Sequence, residues 1–280
     1  MGLKDILTIV ISASADAPAI AMAEQLAKAH DSHLSAAFLT ALPDEPLAYE
    51  PTVVAGVWAE LLARARSQTA AERARLDARF ALSGRPVEIR TAEALARDLG
   101  RVAAVHARYS DLAVMTRPSP GESADMRSEL IEGVLFHAGR PTLIAPPDWS
   151  GGEFGRNVVI AWDASREATR AVADARPFLE KCQKVTILTI DAKPKAFGHG
   201  EAPGANIAAH LSRLGIAVTV RNADSMGRSV GKAIIDETSS LVGDLLVMGA
   251  YRHSRLQERL FGGATRELLE HAKVPILLAH

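Results

Sequence analysis

One pentapeptide pattern occurs twice in the chain, as Asp111-Leu-Ala-Val-Met and as Asp244-Leu-Leu-Val-Met. A chain that repeats itself over such distances folds as two like units, and this narrows the architecture more than any composition can. The match is not isolated. Ser14 in ISASADAPAIA answers Ser165 in WDASREATRAV, 151 positions on, and His137-Ala138 answers His271-Ala272, 134 positions on. Each of the latter pairs is soon followed by a proline, Pro141 or Pro275. The spacing shrinks along the chain because the first half carries extra residues, mostly in its long second helix.

Within each half, apolar runs alternate with helical patterns. Ile6 to Ile11 is a continuous apolar run, as in strands of parallel sheets covered on both faces. Asp16 is placed to cap the helix that follows, with Pro18 in its first turn. Leu34 to Leu39 is a second strand, and a proline-bearing loop leads to a long helix over about 56–80. Val87 to Ile89, Leu112 to Met115 and Thr142 to Ala145 complete five strands, separated by helices over 93–107 and up to Gly139. Pro146 to Gly155 is a linker by composition. The pattern then restarts with strands at Asn157 to Trp162, Lys184 to Ile190, Ile216 to Val220, Leu245 to Met248 and Ile276 to Leu278. Their helices are expected over 167–179, 207–214 and 230–242, with a last one after Gly263.

The expected fold is therefore α/β: two tandem, doubly wound, five-stranded parallel sheets with strand order 3-2-1-4-5 and helices on both faces. Residues 1–148 form the first unit, 149–156 the linker and 157–280 the second unit. Composition agrees with a globular protein, at 48% hydrophobic and 23% charged residues. A formal net charge of −1 gives no electrostatic reason to expect nucleic acid or an anionic membrane as partner. Cys182 is the only cysteine, so no intrachain disulfide forms. The first apolar run is too short for a signal core and no stretch is long enough to span a bilayer. A cytoplasmic location is expected.

In such a sheet the winding reverses between strands 1 and 4, and ligands bind in the crevice at their carboxyl ends. In the second half those ends are Asp163 and Gly249. The carboxylate can accept from the amino group of a base. Beyond Gly249 come an arginine-rich loop and Gly262-Gly263-Ala264-Thr265 at a helix start, where backbone N–H groups suit an anion. The corresponding residues in the first half are Ser12 and Thr116, with no glycine pair following, so that crevice reads as blank for nucleotide.

These residues make the chain resemble a tandem universal stress protein. That family carries, after its fourth strand, a glycine, two residues, a glycine, nine residues, a glycine and then serine or threonine. Gly249 and Gly262 take the first and third places; Arg252 stands at the second and Gly263 at the fourth, with Thr265 two residues on. The family's aspartate after the first strand falls on Asp163, and its base-contacting residue on Thr189 or Ile190. The resemblance implies ATP or a related adenine nucleotide in the second half, accompanied by Mg²⁺, and a regulatory role in stress with little or no turnover. Slow ATP hydrolysis is the most catalysis expected. Arg252 either blocks the phosphate site or clamps it through charge-assisted hydrogen bonds. The alternative is an interaction or dimerisation protein with both crevices empty. The protein partner is not readable, and a homodimer and an intrachain pseudo-dimer both remain open.

Other motifs carry less. Gly227-Arg228-Ser229-Val230-Gly231 spells a nucleophile elbow, but Ser229 lies nine residues beyond Val220, where an elbow needs its serine directly after a strand. Gly231-Lys232 is followed by alanine and is not a P-loop. His30, Asp31 and His33 read as a surface turn, His199 as part of a glycine-rich loop, and Trp162 as core packing.

Overall fold

A computed structural model describes residues 2–43, 51–118, 124–194, 198–250 and 263–280, with the backbone alone for 51–55. The chain forms two compact units, one built chiefly of Leu3–Thr116 with the segment up to Arg140, the other chiefly of Pro141–His280.

In the first unit the elements are β1 (Asp5–Val10), α1 (Ala17–His30), β2 (His33–Leu42), α2 (Pro51–Ala81), β3 (Val87–Leu95), α3 (Leu99–Ala107), β4 (Leu112–Thr116) and α4 (Ala124–His137). The strands are parallel and lie in the order β3-β2-β1-β4. β1 and β4 are buried almost throughout, which explains their unbroken apolar runs. α2 begins at Pro51, where a proline costs nothing because the first helical N–H has no partner. Its C-terminal part is anchored by Leu76 and Phe80, which pack with Val10, Ile20 and Phe38.

β3 runs six residues beyond Ile89, to Leu95, pairing with β2 through Leu42. The helix expected from Glu93 therefore starts only at Leu99, after a short 3₁₀ turn over Ala96–Asp98. The reason is local. β3 is half-buried, so its sequence alternates instead of reading as an apolar run, and Glu93-Ala94-Leu95 has helical propensity that the sheet overrides.

The second unit contains β5 (Thr142–Ala145), β6 (Asn157–Ala161), α5 (Arg166–Asp174), α6 (Arg176–Leu179), β7 (Lys184–Ile190), α7 (Ala205–Arg213), β8 (Val218–Ala223), α8 (Val230–Ser240), β9 (Leu245–Gly249), α9 (Gly263–His271) and β10 (Ile276–Ala279). Its parallel strands take the order β8-β7-β6-β9-β10, the 3-2-1-4-5 arrangement. β5 adds to this sheet antiparallel to β10, with Leu143 opposite Leu277. All four residues of β5 are buried, and the strand that ends the first sequence repeat falls within the second compact unit. No helix among the described residues is long and apolar enough to cross a membrane.

Both Asp111 and Asp244 do the same structural work. Asp111 Oδ2 accepts from the amides of Lys4 and Asp5, and Asp244 accepts from those of Gly155, Arg156 and Asn157. Each carboxylate ties the start of its unit's fourth strand to the start of the first, which is why the repeat is sharpest there.

Candidate functional site

The carboxyl ends of β6 and β9 are neighbours, with Ala161 opposite Met248 in the register. Asp163 lies two residues beyond Ala161 and Gly249 one beyond Met248, so both sit at the same rim of the second sheet. β7 flanks β6 on the other side, and Trp162 N continues the pairing by donating to Leu188 O at 2.8 Å. Trp162 itself is half-buried.

Asp163 is held in a tight turn. Its Oδ1 accepts from Ser165 N at 3.0 Å and from Ser165 Oγ at 2.6 Å, while Ala164 between them takes a left-handed φ of 59°. Ser165 Oγ in turn accepts from Ala168 N and caps α5. The carboxylate is thus fixed in direction by the same serine that starts the helix.

Gly249 owes its identity to close packing. A Cβ there would lie 2.4 Å from Ala168 N and 2.8 Å from Glu167 Cβ, so only glycine lets the start of α5 press against the end of β9. Gly263 differs: it opens α9, and none of the described residues lies within 4 Å of a Cβ placed there. Ala264 is half-buried, and Thr265 is buried in the first turn of α9. Arg252 and Gly262 lie outside the described residues, as does His253.

Thr189, near the end of β7, is 1% exposed, and its hydroxyl donates to Asn222 Oδ1 on β8 at 2.6 Å. That hydroxyl is engaged inside the sheet. Ile190, the other residue of the uncertain register, is half-buried.

Two further residues at this rim escaped the sequence reading. Glu167, in the first turn of α5, is buried against Gly249. Burial opposes its ionisation, but the Arg166 guanidinium, the residue's own backbone amide and the charge of His280 outweigh that and hold its carboxyl below the usual range. His280 follows β10 and places its Nδ1 3.1 Å from Ala250 O. The repeat could have flagged Glu167, since it stands 151 positions after Asp16, the same spacing as Ser14 and Ser165. No local signal marks His280.

In the first unit the corresponding rim is filled by the protein's own carboxylates. Asp16 is the residue before α1, yet its side chain makes no capping bond. It turns back instead, Oδ2 accepting from Ile11 N at 2.9 Å and Ser12 N at 3.0 Å. Its Oδ1 pairs with Arg127 of α4. Glu72 of α2 adds a second carboxylate, accepting from Ala13 N at 2.7 Å and from Ser12 Oγ. The expected cap at Asp16 is thereby replaced by a tertiary contact with a residue 111 positions away.

The GRSVG segment has a structural explanation. Ser229 caps α8 by accepting from Lys232 N, and it donates to Glu267 Oε2 on α9. β8 ends at Ala223, so Ser229 is not on a strand-to-helix elbow.

Residues 155–280 match the sequence model of the Universal stress protein family. A universal stress protein from Archaeoglobus fulgidus DSM 4304 shares the fold over 98% of this chain and 95% of its own, at a TM-score of 0.66 and 15% identity. A provisionally designated universal stress protein from Pseudomonas aeruginosa UCBPP-PA14 aligns over 99% of this chain and 93% of its own, at 0.57 and 14%. A protein of unknown function from Pseudomonas aeruginosa PAO1 gives 99%, 92%, 0.58 and 14%. No curated protein matches the chain. By sequence, the second half of the chain, residues 155–280, belongs to the universal stress protein family, and the chain along its whole length shares the fold of these solved proteins.

Proposed function

We propose that the second unit binds ATP or a related adenine nucleotide, with Mg²⁺, at the carboxyl ends of β6 and β9, and that the protein acts by binding, with little or no turnover. The observation that carries this reading is the adjacency of Asp163 and Gly249 at the point where the sheet reverses its winding. The fixed carboxylate suits a donor on the nucleotide's base or sugar. The start of α9 at Gly263, where no described residue crowds the Cβ position, suits the phosphates. With the Thr189 hydroxyl engaged by Asn222, a base contact at the end of β7 falls to backbone atoms or to Ile190. The nucleotide brings the metal as a phosphate complex, and Asp163 is the described carboxylate at this rim whose direction is set for polar contact.

The first unit, residues 1–148 in the sequence division, takes no nucleotide in this reading. Asp16 and Glu72 already receive the amides of Ile11, Ser12 and Ala13, which a ligand would otherwise meet. The test is to denature the purified chain and identify any released nucleotide by chromatography. Adenine nucleotide from the wild type, absent from Asp163→Ala, supports the proposal. No nucleotide, together with no thermal shift on adding MgATP, favours the interaction-protein alternative. Arg252→Gly separates the two readings of that residue: tighter ATP binding means that the arginine blocks, weaker binding that it clamps.

A further inference from the structure

The first unit has a cleft at the end of its sheet opposite the strand-end rim. It opens where α1 ends, β2 begins and the chain passes from α2 into β3, and its volume of about 790 Å³ is that of a small-molecule site. Every residue lining it belongs to the first unit. Ala27, Leu34, Pro86 and Val87 supply apolar wall. The charges do not cancel. Glu24 pairs with Arg79 at 3.1 Å and Asp31 with Arg85 at 2.8 Å, whereas Lys28 has no partner among the described residues. Arg85 reaches across to α1: its Nη1 donates to Ala27 O at 3.0 Å and so covers a carbonyl in the last turn of the helix, the end that repels anions. Its Nη2 faces Asp31, whose side chain is 87% exposed. An ion pair so open to water is worth little, and a ligand carboxylate can replace it.

We propose that this cleft binds a small amphipathic anion, a carboxylate carried on an alkyl or aryl body. The carboxylate takes the place of Asp31 on the Arg85 fork and meets the unpaired charge of Lys28 as well. The body lies against Leu34, Pro86 and Val87. A neutral apolar molecule gains only the wall and a small inorganic anion only the charges, so the cleft favours a ligand that has both. The site is separate from the second-unit crevice and does not depend on nucleotide binding there. It gives the unit that takes no nucleotide a ligand of its own.

The test titrates butanoate, hexanoate and octanoate into the full chain, with octan-1-ol as the neutral counterpart, and follows backbone amide shifts by NMR. Saturable octanoate binding is expected, with shifts at residues 27–34 and 83–87 that saturating MgATP leaves in place. Affinity rises about threefold for each methylene buried against the wall. Lys28→Met keeps the apolar stem and loses the charge, weakening octanoate by about two- to fivefold, and Lys28→Glu weakens it by about tenfold or more. Both variants melt like the wild type without ligand, since Lys28 is exposed and unpaired. Shifts that do not saturate, or that spread over the surface, overturn the proposal. So does octan-1-ol or butanoate binding as tightly as octanoate, or unchanged octanoate affinity in Lys28→Glu. Displacement of octanoate by MgATP also overturns it, because the carboxylate then sits in the second-unit crevice.

Discussion

Asp16 and Arg127 form an ion pair that is 1% and 5% exposed, joining the turn after β1 to α4 across 111 positions of sequence. Its counterpart position in the second unit is Glu167, whose carboxylate is neutralised by the adjacent Arg166 instead. One unit pairs its buried rim carboxylate with a buried arginine from a distant helix, and the other with an exposed arginine next to it in sequence.

The buried pair makes the first unit sensitive to removal of either partner. Arg127→Leu leaves a buried carboxylate without its counter-charge and costs about 3–5 kcal/mol, whereas Asp16→Asn combined with Arg127→Leu, which removes both charges and keeps an acceptor for the amides of Ile11 and Ser12, costs less. Denaturant unfolding of the two variants measures the difference. Nucleotide binding by the folded Asp16/Arg127 double variant stays at the wild-type level, since the proposed site is in the other unit.

Gly249 and Gly263 belong to the same sequence motif and respond oppositely to alanine. Gly249→Ala drives a methyl group to within 2.4 Å of Ala168 N and destabilises the second unit by about 1–3 kcal/mol. Gly263→Ala meets none of the described residues at a helix start and changes stability by less than about 1 kcal/mol, in the favourable direction. Thermal melting of each single variant decides this.

Asp244 receives three amides, from Gly155 at 2.9 Å, Arg156 at 3.1 Å and Asn157 at 3.0 Å. Asp244→Ala strands them and costs about 1–3 kcal/mol. Hydrogen exchange at residues 155–157 accelerates in the variant, and exchange at Lys4 and Asp5, held by Asp111, stays unchanged.

Two glutamates set opposite pH responses. Burial and the neighbouring charge of Glu129 raise the Glu132 carboxyl above 4.5, so folding favours its protonated form. Its ionisation destabilises the fold at neutral pH, and this penalty disappears as pH falls through the raised folded value. Glu132→Gln therefore stabilises the protein at neutral pH, and the gain fades by about pH 4. Glu167 is lowered below 4.5, chiefly because Arg166 outweighs the effect of burial. Its contribution is present above 4.5 and lost as pH falls through the lowered folded value, so Glu167→Gln destabilises at neutral pH and the loss fades in acid. Urea unfolding at the two pH values distinguishes the signs.

Most of the fold was legible because the central strands are buried on both faces and their sequences run apolar without interruption. β7 was read with the bounds it has, Lys184–Ile190. Edge strands were not so plain. β8 is largely exposed, and its end at Ala223 lies three residues past the expected Val220. At the site, Asp163 and Gly249 could be placed because topology alone brings the ends of β6 and β9 together. Thr189 and Ile190 both stand at the end of β7, but nothing local shows that the Thr189 hydroxyl meets Asn222, 33 positions on. Asp16 obeys the local rule for a helix cap, and a distant arginine overrules it. Contacts such as these depend on which helix comes to rest on which strand end, and residue spacing does not encode that.

The proposed function requires one nucleotide site per chain, in the second unit. Calorimetric titration of the wild-type chain with MgATP counts the sites. The expected result is saturation at one nucleotide per chain, abolished by Asp163→Ala and kept in the folded Asp16/Arg127 double variant. Saturation at two per chain, binding indifferent to Asp163, or no binding at all would contradict it.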